Sequence, residues 1–413
     1  SWLKITKKII AINIKKKSAR NGPEIWAAGN KNNSKDAMNK NLWYKYILLI
    51  IIFKLLMYIQ FIFLILLSIS LIFIQSKYFF LVDRPENQQH KLSYNKNIPL
   101  SGGIYFFIAI LTNTLLTEYY DQNFLIIIFL FLFLILGIYS DLIINFSPRI
   151  RLLYQITLVI LIIIFLDLKI DKTNVFFLDY YIDNRIFNLF FTSFCILVLI
   201  NGSNFCDGIN CNVSGYYLIV VLAIFFTDLP LPITFLNIET IIIIFLIFYI
   251  FNLFQKYFLG DNGVYVISIF MSIYVIKFIN FNSSISSLLA LNLLWYPAFE
   301  NLFTIIRRMF AKKKVQTADR FHLHILIFEK ILNKNNLIVS NSLTGVLLNI
   351  FMFIGIFSSI KFYDNSKILI LILMINITIY IIGYYYLLFK KRDLNRNKKT
   401  MKKTDNKTDV INK

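Results

Sequence analysis

Apolar runs of about one membrane span recur from residue 46 to residue 389, separated by short polar connections. A span needs about 20 residues at 1.5 Å rise each. Bare polar backbone is not tolerated in lipid, so each run must satisfy its own hydrogen bonds. With 58% hydrophobic residues, this pattern predicts an all-α polytopic membrane helical bundle and excludes a soluble domain around one core. The runs fall at 46–75, 101–118, 123–139, 150–167, 186–200, 215–229, 238–253, 264–280, 284–305, 342–362 and 367–389, about eleven transmembrane helices. The first exceeds one upright span; with no turn signal inside it, one long tilted helix is favoured over two cramped passes.

Charge orients the bundle. Ten Lys/Arg follow residue 389, and a basic tail of this kind belongs in the cytoplasm. Counting back puts 306–341, 254–263, 201–214, 140–149 and 76–100 inside, and 363–366, 281–283, 230–237, 168–185 and 119–122 outside. The largest inside connection carries Arg307, Arg308, Lys312, Lys313, Lys314, Arg320 and Lys330, as the positive-inside rule requires. The formal charge of +21 is therefore read as basic loops and tails, with no nucleic-acid partner expected. The same count puts the N-terminus outside, where nine Lys/Arg in residues 1–37 break the rule. This leads to the expectation that the native start is Met38, or else that 46–75 hides a second pass. The chain is divided into a basic N-terminal segment (1–43), a transmembrane domain (44–390) and a basic tail (391–413).

Three cysteines, Cys195, Cys206 and Cys211, form no Cys-x-x-Cys pair or zinc spacing, and no disulfide is expected. The informative polar residues all fall in inside connections. The first holds Asp83-Arg-Pro85, His90-Lys91 and Asn97-Ile-Pro-Leu-Ser-Gly-Gly103. Next come Gly137-Ile-Tyr-Ser-Asp141 with Ser147-Pro-Arg149 and Arg151. The third is a polar, turn-rich island, Asn201-Gly-Ser-Asn-Phe-Cys-Asp-Gly-Ile-Asn-Cys-Asn-Val-Ser-Gly215. Gly260-Asp-Asn-Gly263 and then Thr317-Ala-Asp-Arg-Phe-His-Leu-His324 complete the set.

Carboxylates at membrane span ends are costly and mark function by default, which singles out Asp141, Asp207 and Asp261. Oxygen donors without a Cys/His set suit a hard cation such as Mg²⁺. Surrounding Arg and Lys suit phosphates, as do glycine turns that expose backbone N–H groups. Together they suggest metal-assisted phosphoryl chemistry on a membrane lipid. Taken singly, each feature has a plainer reading. Asp141 could cap a helix or answer a helix dipole. Gly260–Gly263 could be a simple turn, Arg307-Arg308 an interfacial anchor, and Asn204 and Asn210 helix caps.

The ordered set resembles the polyprenyl-phosphate N-acetylhexosamine-1-phosphate transferases, a glycosyltransferase family 4 branch, over about residues 60–390. Asp83-Arg-Pro…Ser-Gly-Gly103, Gly137-x-x-Ser-Asp141, Asn201-x-x-Asn-x-x-Asp-Gly208, Gly260-Asp-Asn-Gly263 and Asp319-Arg-x-His-Leu-His324 resemble that family's successive cytoplasmic motifs. The resemblance implies transfer of a HexNAc-1-phosphate from a UDP-sugar to undecaprenyl phosphate, with UMP released, at the start of a surface glycan such as O-antigen. It implies a multi-pass protein of the bacterial inner membrane with its active site facing the cytoplasm, and it allows a homodimer. Mg²⁺, or Mn²⁺ in its place, would sit on Asp261 and Asn204 with help from Asp141. Asp207 would hold uridine or support the site. His322, His324 and Arg320 would contact sugar or diphosphate. Asn201, Gly208, Arg151, Arg307 and Lys91 are placed with the substrates. The chain departs from the family pattern at Ser140, in place of the first of two aspartates, at Asn210-Cys211, in place of Asp-Gly, and at Ile325, in place of a third His.

Two other functions compete. A transporter of lipid-linked sugars would place polar residues mid-span and show inverted repeats, neither of which is apparent. A catalytically inactive scaffold draws its support from Ser140 and Asn210.

Overall fold

The computed structural model describes residues 55, 58–78, 81–82, 98–115, 120–143, 146–227, 229–231, 236–312, 321–332 and 336–411, without the side chains of 120–122 and 393–411. The expected N-terminal segment, Asp83-Arg-Pro85, His90, Lys91 and Arg320 lie outside the described residues. The described chain is all-helical: α1 (Tyr58–Tyr78), α2 (Gly102–Leu115), α3 (Tyr120–Leu142), α4 (Pro148–Phe165), α5 (Phe176–Ile182), α6 (Arg185–Cys206), α7 (Asn212–Phe226), α8 (Ile238–Leu253), α9 (Gly260–Phe281), α10 (Leu288–Phe310), α11 (Leu323–Ile331), α12 (Leu337–Ile360) and α13 (Ser366–Ile411). Among the described residues eight helices are long and apolar enough to cross a membrane, and α2, α7 and α8 are shorter apolar helices. At about 1.5 Å per residue these three fall short of a hydrocarbon core about 30 Å thick.

Burial separates the centre of the bundle from its edge. In α9, 78% of the apolar window is buried, against 22% in α1, α4 and α13. α9 packs against α2, α3 and α6, and α6 in turn packs against α10. A helix on the axis of a membrane bundle is held by small residues and by polar contacts. Both occur here: a Cβ on Gly137 of α3 would collide with the Asn262 backbone, and Tyr217 Oη of α7 donates to Ser268 Oγ of α9 at 3.4 Å. Pro297, inside α10, removes the N–H that Leu293 O would accept. Tyr216 Oη donates to that carbonyl instead, at 2.6 Å.

The connections segregate to two ends. At one end Asn174 Oδ1 accepts from Ser287 N at 2.7 Å, Asn280 Nδ2 donates to Lys169 O at 2.7 Å, and Asn282 Nδ2 donates to Pro230 O at 3.0 Å. These are the connections the charge count assigns to the outside. The motif-bearing segments meet at the other end.

The motifs themselves differ from the sequence reading in one respect. They are helix ends more than loops. The polar island is helical through Cys206 and again from Asn212, leaving only Asp207–Cys211 outside α6 and α7. Gly260-Asp-Asn-Gly263 is the first turn of α9, and Gly137–Asp141 the last turns of α3. Asn, Gly and Ser weigh against helix only weakly, and tertiary contacts at these ends outweigh that preference.

Candidate active site

The site is built around the N-terminus of α9. The first N–H groups of a helix have no intrahelical partner and carry the positive end of the dipole. Carboxylates from two other helices take them. Asp141, at the end of α3, accepts from the backbone N–H of Asp261 through Oδ1 at 2.9 Å. Its Oδ2 accepts from the backbone N–H of Asn262 at 3.0 Å and from the Asn262 side chain. Asp207, just past α6, accepts from the Gly260 N–H. Gly260 has φ +69°, a conformation open to glycine and strained for most other residues. Asn262 also accepts from Gly103 N at 2.6 Å, which ties the Ser101-Gly-Gly103 segment to the same helix end.

Held this way, Asp261 faces into the site and is 8% exposed. Its Oδ1 accepts from Asn204 Nδ2 at 2.6 Å. Its Oδ2 accepts from Ser140 Oγ at 2.6 Å and from Arg151 Nη1 at 3.0 Å. Four elements, α3, α4, α6 and α9, thus meet on one carboxylate. Ser140, at the departure from the family's aspartate pair, is a direct partner of Asp261. The Asp207 carboxyl is pushed above the ordinary carboxylate range, first by burial, then by the charges of Asp261 and Asp141.

A second cluster adjoins the first through the end of α6. Phe205 lies 5.5 Å from the His322 ring, and a Cβ on Gly208 would collide with His324 Nε2. The two imidazoles stack at 5.5 Å between centroids. His322 Nδ1 is 2.9 Å from Glu300 Oε1, and Glu300 Oε2 accepts from Tyr380 Oη. His324 is 1% exposed, and burial pushes it down to about 3, with the neighbouring His322 acting in the same direction. It is therefore a neutral imidazole, and its Nδ1 has no hydrogen-bond partner among the described residues. Arg308 lies over the Phe205 ring at 5.6 Å.

The remaining candidates sit at the edges. Asn201 Nδ2 donates to Gln155 Oε1 at 3.2 Å and so ties α6 to α4, one turn before Asn204. Arg307 is on the last turn of α10, two turns beyond Glu300. Asn210 turns away from Asp261: its N–H donates to Asn341 Oδ1 at 2.7 Å and its Nδ2 to Ser342 Oγ at 3.1 Å. Cys211 has φ +63° where the family has glycine, and the left-handed turn is stabilised by Asn252 Oδ1 accepting from Cys211 N at 2.6 Å.

Sequence reasoning passed over Glu300 and Tyr380. The signal was there for Glu300, a lone carboxylate inside an apolar run, which is a candidate by cost alone. Nothing marks Tyr380 in a stretch that also holds Tyr384, Tyr385 and Tyr386.

Two comparisons with known proteins bear on this chain. The family model for glycosyl transferase family 4 matches residues 123–279, which include Ser140, Asp141, Arg151, Asn204, Asp207 and Asp261. The chain is 26% identical over 253 residues to a probable undecaprenyl-phosphate N-acetylglucosaminyl 1-phosphate transferase of Bacillus subtilis (strain 168), covering 59% of this chain and 68% of the relative. The chain is thus similar to glycosyl transferase family 4 over residues 123–279, the stretch that holds the Asp261 cluster.

Proposed function

We propose that the protein transfers a HexNAc-1-phosphate from a UDP-sugar to undecaprenyl phosphate, releasing UMP and initiating a lipid-linked surface glycan. The observation that carries the reading is the convergence of Asn204, Ser140 and Arg151 on Asp261 at the motif-bearing end of the bundle. In the reaction a lipid phosphate oxygen attacks the sugar-bearing phosphorus, the bond to the UMP oxygen breaks, and UMP leaves with that electron pair. The attacking phosphate is already anionic near pH 7, so the protein's task is charge screening and alignment. Arg151 supplies fixed positive charge beside Asp261.

The donor set fits a divalent cation in part. Burial and the charges of Asp261 and Asp141 hold the Asp207 carboxyl above the ordinary carboxylate range, a crowding that a divalent cation would relieve. Among the described residues no three His, Cys, Asp or Glu side chains form a metal cage. Mg²⁺ commonly takes one or two carboxylates and fills its shell with water and substrate phosphates. Asp261 and Asn204 are the residues we assign to hold it, and when bound it would screen the diphosphate charge. Asp141 spends both oxygens on α9 amides, so we assign it to positioning Asp261. His322 and His324 lie where sugar or diphosphate would extend from this centre. The positive-inside count supports a cytoplasmic face for the site.

The test is transfer of label from UDP-GlcNAc carrying ³²P at the β-phosphate. With undecaprenyl phosphate and Mg²⁺, label should move into a butanol-soluble lipid, with a panel of UDP-sugars run beside it. A folded protein that labels no lipid with any donor defeats the reading. Transporter and scaffold functions both predict that outcome.

A further inference from the structure

We infer that Glu300 is a positioning residue of this active site: its carboxylate fixes the ring orientation and tautomer of His322, and Tyr380 on the C-terminal helix fixes the carboxylate. The inference rests on the transfer reaction proposed above and adds to it residues outside the family's motifs.

Glu300 lies in α10, a helix apolar enough to span the membrane, and is 1% exposed. A carboxylate in such a place is kept only if its oxygens are satisfied. Both are. Oε1 is 2.9 Å from His322 Nδ1 and Oε2 accepts from Tyr380 Oη. A carboxylate accepts, so Nδ1 carries the proton and Nε2 is the ring nitrogen left for a ligand. This is the arrangement by which a buried carboxylate orients a working imidazole in other enzymes. The alternative, that Glu300 only ties helices together, does not account for its placement against the one histidine that abuts Phe205 beside Asp207.

The same helix grips both flanks of His322. Lys391 Nζ pairs with Glu329 Oε2 at 2.7 Å and lies 4.9 Å over the Phe321 ring. Lys330 lies 5.4 Å from the centre of the Tyr386 ring. α13 thus belongs to the scaffold of the histidine segment, although it lies at the edge of the bundle.

The experiment uses the full chain in lipid nanodiscs and compares wild type, Glu300→Gln, Tyr380→Phe, His322→Ala and the Glu300→Gln/His322→Ala double variant. Removing an orienting partner of this kind costs on the order of 10–100-fold. Glu300→Gln should lower kcat by that factor and change KM for the UDP-sugar by less than about threefold; Tyr380→Phe should do the same more weakly. The double variant should be no slower than His322→Ala alone, because Glu300 acts only through that ring. Full activity of Glu300→Gln, or effects of the two changes that multiply, overturns the inference. If Glu300→Gln does not fold, Tyr380→Phe decides by the same criteria. A wild-type chain that transfers no phosphate defeats the proposed reaction by itself. The positioning is then read from hydrogen exchange, where Glu300→Gln should exchange faster over 321–326 and not over 261–264. Equal rates over 321–326 overturn it.

Discussion

Asp141→Asn keeps the shape of the side chain and removes its charge, which separates a helix clamp from a metal ligand. In the wild type the two oxygens accept from the Asp261 and Asn262 amides at 2.9 and 3.0 Å. An asparagine offers one carbonyl oxygen and one NH₂ to these two amides and to the Asn262 side chain, which also donates to Asp141. One amide is therefore left facing a donor, a loss of about 1.5–3 kcal/mol for a hydrogen bond to a charged group. The favourable term between a negative charge and the helix N-terminus, about 0.3–1 kcal/mol, goes with it. A total of about 3 kcal/mol corresponds to roughly 100-fold faster exchange of the amides at 261–264, if they open locally. Hydrogen exchange followed by mass spectrometry on the protein in nanodiscs reads this directly. Activity should fall in the same variant, since Asp261 is no longer held. Loss of activity with unchanged protection at 261–264 would refute the clamp and return Asp141 to the metal.

Three further outcomes are expected. Ser140→Asp sets a second carboxylate beside Asp261, 2.6 Å from the present hydroxyl; like charges so close disfavour ionisation of both, so the variant should melt lower than wild type in EDTA and recover in millimolar Mg²⁺. Cys211→Gly should retain the fold, whereas Cys211→Val, with a β-branched residue at φ +63°, should cost about 2 kcal/mol in thermal or denaturant unfolding. His324 is held at about 3, below its unfolded value near 6.5. Its contribution to stability is therefore present above pH 6.5 and lost as the pH falls towards 3. His324→Gln should flatten the decline of the melting temperature across that window, and an unchanged slope would contradict the burial of a neutral imidazole.

Much of this arrangement is legible in the sequence, for a physical reason. Lipid forces each span into a helix and makes every carboxylate at its end expensive, so Asp141, Asp207 and Asp261 stand out against Ile and Phe. The likeness to glycosyl transferase family 4 is likewise visible in motif order. What one dimension hides is which oxygen faces which donor. The sequence leaves open whether Asp141 caps a helix or serves the site. The structure gives it the N-terminus of α9, 120 residues further along the chain, a contact that no local pattern announces. The helical state of Asn201–Cys206 and of Gly260–Gly263 is similarly set by packing on distant elements and not by their own weak propensity. Ser140 reads as a lost carboxylate until its hydroxyl is seen on Asp261.

The most direct test of the account is a cryo-EM map of the protein with UDP-GlcNAc and Mg²⁺. Cation density within about 2.1 Å of an Asp261 oxygen and of Asn204 Oδ1, with the diphosphate running towards His322, is the predicted result. Nucleotide density at the opposite end of the bundle, in the cleft lined by Asp167, Asp171, Asp183 and Arg185, would contradict it.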